Sequence, residues 1–166
     1  MRVGCYTTTV PGGRRCFWKI AGHLVVGVAG SPGSLDALKW AVCEAALTDT
    51  DLQAVIAWEY PPLSGVNPMT AHVNWRIKAK QTIEAAVEEA PGADSVRVSS
   101  VVIAGDPAQV LIQASVGAQL LVVGNSGHGG LTEMLPGSVR EQVITHARCP
   151  VLVIRQDSRA PAGCSE

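Results

Sequence analysis

Short apolar runs alternate with helical patterns along most of the chain, and this alternation restricts the possible folds more than any other feature. Five runs of four to eight residues are LVVGV (24–28), LQAVIAW (52–58), VRVSSVVI (96–103), LLVV (120–123) and VLVI (151–154). Apolar stretches of this kind are typical of strands buried on both faces of a parallel sheet. The partly alternating run at 96–103 favours a place nearer the sheet edge.

Between these runs, apolar residues recur at spacings of three and four, which predicts four helices. We predict Ser34 as the N-cap of the first helix and Asp106, followed by Pro107, as the N-cap of the third. The fourth helix is expected to start at Ser138 and to end at Pro150. One face of this helix is predicted to carry Val139, Val143, Ile144 and Ala147. The β-α-β-α-β-α-β-α-β order predicts one doubly wound α/β domain, with a five-stranded parallel sheet and helices on both faces.

The composition fits one packed domain and argues against two classes of partner. Of the 166 residues, 47% are hydrophobic and 16% are charged, which supports a single core. The formal net charge of -1 and the absence of a basic patch predict no nucleic-acid partner. No apolar run has the length of a membrane span, so no membrane association is expected.

The cysteines and the N-terminal segment bear on localisation. Five cysteines without a C-x-x-C pair predict free thiols in a reducing compartment, hence the cytoplasm. Arg14-Arg15 before an apolar stretch also fits a twin-arginine export signal. We favour the cytoplasm, because cleavage near Gly30 would remove the run at 24–28, a central strand. The predicted division is a loosely ordered extension over 1–22, a domain over 23–155 and a polar tail over 156–166.

The segment GNSGHGGLTEMLPGSVREQV (124–143) is the strongest candidate for a binding site. It follows a strand, so it reaches the crevice at which ligands bind in open parallel sheets. Gly124 and Gly127 allow successive N–H groups to face inward, and Gly137-Ser138 places a helix N-terminus beside them, which suits an anion. Neither a Walker A motif nor a Rossmann fingerprint is present. A glycine-rich connection that binds nothing is the alternative.

These residues resemble the universal stress protein family. Gly124, Gly127, Gly137 and Ser138 match its nucleotide-binding pattern G-x2-G-x9-G-[ST]. Similar segments are GVAGSPGS after the first strand, AGDPAQVLIQAS at the third helix, and LPGSVREQVITHARCPVLVIR at the end. The resemblance covers about residues 23–155. It implies a flavodoxin-like sheet of order 3-2-1-4-5 and a homodimer formed through the last strand (151–155).

The resemblance also implies a site for ATP, with or without Mg²⁺, or for another adenine nucleotide. Gly124, Gly127, Gly137, Ser138 and Val139 would hold the phosphates and ribose. Beneath the nucleoside would lie Gly27, Val28 and Ala29, and the main chain of Trp58 would meet the adenine edge. The implied function is a dimeric regulatory or protective module of the stress response, in which the nucleotide orders the 125–137 loop and so changes the surface offered to an unknown protein partner.

Three departures from the family pattern affect this expectation. Ala29 replaces the usual Asp, and losing one hydrogen bond to a charged group weakens binding by about 1.5–3 kcal/mol. Ser126 stands where a basic residue is common. Arg140 replaces a hydroxyl residue and either contacts phosphate or stays solvated, the latter being favoured. The alternative function is a nucleotide-independent module that acts through protein contacts alone.

No catalytic set is evident, so an enzyme is the least favoured class, with slow ATP hydrolysis at most. His128 is expected to face solvent, and His146 with Cys149 supplies only two of the ligands that a metal would need. Glu133 and Glu141 flank the predicted cradle, where they would either position water or Mg²⁺ or simply face solvent. Asp106 is best explained as a helix cap. GNSGHG does not match the nucleophile elbow G-x-S-x-G.

Overall fold

The computed structural model describes residues 3–10, 13–20, 22–59, 74–125 and 138–155, with side chains from residue 22 onward. Its strands are β1 (Val3–Val10), β2 (Gly13–Ile20), β3 (Leu24–Gly27), β4 (Leu52–Trp58), β5 (Val98–Ala104), β6 (Leu120–Gly124) and β7 (Val151–Ile154). Its helices are α1 (Pro32–Thr48), α2 (Trp75–Glu89), α3 (Pro107–Ala114) and α4 (Val139–His146), with a short 3-10 turn at Ala93–Ser95.

Strands β3 to β7 form one parallel sheet in the order β5-β4-β3-β6-β7. Numbered within this sheet, the order is 3-2-1-4-5, so the predicted doubly wound, flavodoxin-like fold is confirmed. The strand from the partly alternating run, β5, lies at an edge as expected. The described helices are not long and apolar enough to cross a membrane.

Two apolar clusters cover the two faces of the sheet. Leu24 and Val26 of β3 pack with buried residues of α1 and α2, whereas Val25 packs on the other face with residues of α3 and α4. This division follows from right-handed crossovers: the chain winds from β3 to β5 on one face and returns through β6 to β7 on the other. The central strand is buried on both sides, which explains its continuous apolar run.

The N-terminal segment contains an element that the sequence analysis did not anticipate. The sequence predicts a loosely ordered extension over residues 1–22, whereas β1 and β2 form an antiparallel pair separate from the main sheet. The register runs from Val3 opposite Ile20 to Val10 opposite Gly13. Val and Thr are frequent in β1, and such β-branched residues favour strands even outside a main core.

Two details of the helices differ from the sequence analysis. The N-cap of α1 is Ser31, and Ser34 lies inside the first turn, because Pro32 already occupies a helical position. On α4, Val143 is fully buried, but Val139 and Ile144 are 38% and 48% exposed. The predicted apolar face is therefore only partly buried, since this two-turn helix contacts the core mainly through Val143.

The cysteines also differ in part from expectation. Cys43 on α1 is buried and disulfide-bonded, so the prediction of free thiols is wrong at this position. An odd number of cysteines excludes complete pairing but allows a single bridge. Cys149 is free, and burial raises the pKa of its thiol, which keeps it protonated.

Candidate functional site

The crevice of interest lies where the chain changes direction across the sheet. β3 sits between β4 and β6, and the connections leave it toward β5 and later return on its other side to β6 and β7. In an open parallel sheet, the carboxyl ends of the strands on either side of such a reversal leave a crevice that takes ligands. The residues that border it here follow β3, β4 and β6 and begin α4.

The loop after β3 is held closed by a buried serine. Ser34 Oγ accepts a hydrogen bond from the Ala29 N–H (3.1 Å) and donates one to the carbonyl of Ser31 (2.8 Å). Ser31 Oγ in turn accepts from the Ser34 N–H (3.3 Å) as the cap of α1. The fixed loop presents the half-buried Ala29, whose methyl group offers no hydrogen-bonding side chain.

Gly30 follows Ala29 in a left-handed conformation, with φ at 71°. A Cβ at this position would lie 2.8 Å from Thr82 Cγ2 of α2, so backbone conformation and space both require glycine. The turn after β3 is therefore packed against α2 as well as closed by Ser34.

Gly124 ends β6 and has a different role from the one expected. A Cβ there would meet the backbone of α1, at 2.4 Å from the Gly33 oxygen and 2.7 Å from the Ser34 nitrogen. Its φ is not in the left-handed region. Gly124 therefore lets β6 approach the first turn of α1, whereas the sequence predicts that it allows N–H groups to face inward. At Gly27, an added Cβ would first meet side-chain methyl groups of Leu111, at 3.1 and 3.3 Å, and these can move more easily than backbone atoms.

The start of α4 supplies backbone donors. Ser138 is the N-cap, as predicted, and its Oγ accepts from the Glu141 N–H at 3.2 Å. The N–H groups at the first positions of a helix lack intrahelical acceptors and attract anions. Val139 and Arg140 occupy those positions. Gly127 and Gly137, which complete the sequence pattern, lie outside the described residues, as do Ser126, His128 and Glu133.

Arg140 is engaged with the protein, and the interpretation of it as a solvated side chain is wrong. Its Nη1 donates to the Asn125 carbonyl (3.2 Å) and also to Asn125 Oδ1. The Asn125 N–H donates to the Ile154 carbonyl at 2.8 Å. Asn125 thus joins the ends of β6 and β7 to the first turn of α4. Sequence reasoning missed Asn125; a signal was available in the cation on the first turn of α4, where the helix dipole disfavours positive charge.

The main chain of Trp58 faces away from the crevice. Its carbonyl accepts from the Gly105 N–H (3.0 Å), on the β5 side of β4. The β3–β4 ladder ends where the Val28 N–H donates to the Val55 carbonyl (2.8 Å). Main-chain groups alternate sides along a parallel strand, so the next residue facing the β3 side is Ala57. Ala57 is the position whose main chain borders the crevice, one residue before the predicted one.

The structure places the predicted site residues at the ends of neighbouring elements. Gly27, Val28 and Ala29 lie at and after the end of β3, Gly124 ends β6, and Ser138, Val139 and Arg140 begin α4. Asp106 caps α3, with its carboxylate accepting from the Gln109 N–H at 3.1 Å. Within the described part of the chain, no three His, Cys, Asp or Glu residues form a group that could hold a metal ion.

Comparison with known proteins gives consistent matches over this region. A model of the universal stress protein family matches residues 21–155. The chain is 40% identical over 136 residues to Universal stress protein Rv2005c of Mycobacterium tuberculosis, covering 80% of this chain and 45% of that protein. It therefore spans less than half the length of that curated relative.

Two solved structures of the same type superpose on the fold. One, a universal stress protein in complex with cAMP, has a TM-score of 0.64 and 26% identity, covering 82% of this chain and 98% of that one. The other, a protein from the universal stress protein family from Burkholderia pseudomallei, has a TM-score of 0.62 and 25% identity, with coverages of 82% and 97%.

Proposed function

The chain belongs to the universal stress protein family, and from this premise we propose that it is a stress-response module that binds an adenine nucleotide, ATP in the first instance. The observation that carries the proposal is that the Ser138-capped start of α4 is tied to the end of β6, beside the sheet reversal, by the hydrogen bond from Arg140 to the Asn125 carbonyl. A helix N-terminus in that position is suited to phosphate. The 26% identical structure in complex with cAMP supports an adenine nucleotide as ligand.

The residues present fit such a ligand with one exception. In this proposal, the phosphates lie at the N–H groups of Val139 and Arg140, with Gly127 and Gly137 completing the phosphate loop. The nucleoside lies over Gly27, Val28 and Ala29. The adenine edge meets the main chain of Ala57, because the Trp58 carbonyl is turned to β5. Ala29 supplies no carboxylate, which weakens binding by about ten- to a hundredfold.

The proposed role is binding, and the nucleotide acts as a regulatory ligand. When bound, ATP supplies negative charge at the start of α4, and Mg²⁺ is an optional companion. Glu141 is exposed, and its backbone N–H donates the hydrogen bond that Ser138 Oγ accepts as the N-cap of α4. We propose slow hydrolysis at most. The protein is further proposed to be cytoplasmic, because cleavage of an export signal near Gly30 would remove the central strand β3. It is also proposed to form a homodimer through residues 151–155, with 23–155 as the functional domain and 1–22 and 156–166 outside it.

A substitution at the α4 cap tests the proposal without removing the cap. Asp caps helices about as well as Ser, so Ser138→Asp keeps α4 but places a negative charge where phosphate is proposed to lie. Isothermal titration calorimetry should show ATP binding to the wild type and at least about a tenfold loss in the variant, corresponding to about 1.4 kcal/mol.

Asn74→Asp is the matched control, because Asn74 caps α2 through its Oδ1 and the change adds the same charge at another helix start. This variant should bind ATP like the wild type. Equal ATP affinity of Ser138→Asp and wild type would refute the proposed phosphate position.

A nucleotide-independent module is the second candidate, and Ala29 is the observation that favours it. Nucleotide extraction from natively purified protein separates the two. Absence of adenine nucleotide, together with no uptake of added ATP, would support the second function. Recovery of ATP or AMP from the wild type, and its loss in Ser138→Asp, would support the first.

A further inference from the structure

We infer that Arg140, held in place by Asn125, makes the affinity of the site depend on the number of phosphates on its ligand. This inference rests on the proposed nucleotide site and concerns two residues of this chain. It predicts a preference for triphosphates over monophosphates that depends on the Arg140 guanidinium.

The first step is the orientation of the guanidinium. Its Nη1 is directed to the main-chain and side-chain oxygens of Asn125. Asn125 is itself fixed, because its N–H is bonded to Ile154 on β7. A guanidinium is planar and carries five N–H donors, so anchoring one nitrogen also fixes the direction of the others. Asn125 therefore acts as a positioning residue.

The second step is the charge that remains unused. In the parts of the chain that the structure describes, Arg140 takes part in no ion pair, and its Nε and Nη2 have no acceptor. The Asn125 amide is neutral and leaves the positive charge uncompensated. Two donor nitrogens of a half-buried cation are thus available for an anion with several oxygens.

The third step is the location of this charge. Arg140 is the second residue after the Ser138 cap, at the positive end of the helix dipole, where a cation is electrostatically disfavoured and an anion is favoured. A bound phosphate would relieve this repulsion. Because the helix start and the guanidinium both attract anions, a ligand with several phosphates gains more favourable electrostatic binding energy than a ligand with one.

Calorimetry with ATP, ADP, AMP and adenosine on the full chain tests the inference. For the wild type, we expect ATP to bind at least about tenfold more tightly than AMP, and this ratio to fall as salt is raised. Arg140→Ser should reduce the ratio to about threefold or less, mainly by weakening the binding of ATP. Arg140→Lys keeps the charge without the planar fork and should give an intermediate ratio.

Two substitutions at Asn125 distinguish an electrostatic effect of Arg140 on the phosphates from a purely structural role of the Arg140–Asn125 contact. Asn125→Ala removes the side-chain anchor and should lower the ATP-to-AMP ratio in part. Asn125→Asp retains an acceptor for Arg140 but neutralises its charge, so the ratio should collapse. If the Arg140–Asn125 contact has only a structural role, Asn125→Asp would keep the ATP-to-AMP affinity ratio, and the inference would be overturned.

Arg148→Ser is the matched control, because Arg148 is an exposed arginine beyond the other end of α4 and its loss makes the same charge change. It should leave the ratio unchanged. An equal loss of ATP and AMP affinity in Arg140→Ser would overturn the inference while leaving the proposed function intact. Thermal unfolding of each variant checks that the fold is retained.

Inorganic tripolyphosphate distinguishes failure of this inference from failure of the proposed function. If the wild type binds no adenine nucleotide, the proposed function fails, but tripolyphosphate should still raise the melting temperature more than orthophosphate does, and Arg140→Ser should abolish that difference. If tripolyphosphate and orthophosphate act alike on the wild type, the inference fails as well.

Discussion

Gly27 and Gly124 both end strands that border the crevice, yet a methyl group would meet different surroundings at the two positions. At Gly124 it would overlap main-chain atoms of Gly33 and Ser34, whereas at Gly27 it would meet the ends of the Leu111 side chain. Backbone atoms of a helix start cannot move aside without moving the helix, but a leucine can change rotamer. The two glycines therefore differ in how strictly the fold requires them.

Gly124→Ala should destabilise the protein by about 2 kcal/mol or more, because β6 would be forced away from α1. Gly27→Ala is the matched substitution and should change the free energy of unfolding by about 1 kcal/mol or less, since Leu111 can adjust. Urea unfolding followed by circular dichroism measures both values. Equal stability of the two variants would contradict the packing role assigned to Gly124.

Helix starts carry much of the local order around the sheet. The N-caps of α1, α2, α3 and α4 are Ser31, Asn74, Asp106 and Ser138. The side chain of each cap accepts a hydrogen bond from the backbone N–H three residues further along the chain. Side chains that can do this are short and polar, which is why such starts are visible in a sequence. For Asp106, the cap also accounts for an isolated carboxylate that could otherwise suggest catalysis.

Asp106→Ala should destabilise the protein by about 1 kcal/mol, because the Gln109 N–H loses its acceptor. Asp106→Ser should recover most of this loss, since Ser caps about as well as Asp. Thermal unfolding of the three proteins is the measurement, with nucleotide affinity determined in parallel. Loss of stability in the Ser variant equal to that in the Ala variant would show that the carboxylate has a role beyond capping.

Among the described residues, β7 is an edge strand of the main sheet and pairs with β6 alone. The carbonyl of Pro150, just before β7, accepts from the Leu121 N–H of β6, and the Ile154 carbonyl accepts from the N–H of Asn125, just after β6. By the alternation of a parallel strand, the main chain of Val151 and Val153 faces outward. An open edge of this kind can pair with a second chain, which agrees with the homodimer proposed through residues 151–155.

Val153→Pro tests that assembly. Proline removes an outward N–H and is tolerated at an edge position that makes no ladder bond. We expect a wild-type dimer to become a monomer in the variant, measured by light scattering coupled to size-exclusion chromatography. The melting temperature of diluted samples serves as the folding control. A dimer that persists in Val153→Pro would exclude pairing through this edge.

The fold could be predicted because its determinants are local along the chain. The run at 24–28 is apolar throughout since β3 is covered on both faces, and Asp106-Pro107 marks a helix start by its own chemistry. Ser138 likewise predicted the start of α4, because a helix cap acts on a backbone group only three residues further along the chain. These features need no knowledge of distant neighbours.

Other features depended on contacts between distant segments, and only the tertiary structure decided them. Gly124 is needed because Gly33 lies against it, and Ala57 borders the crevice in place of Trp58 because β3 ends beside Val55. Arg140 is directed by Asn125, fifteen residues earlier. Spacing along the chain shows which residues share an element, but register and close approach arise only when the elements pack, so the partners of these side chains could not be deduced from the order of residues.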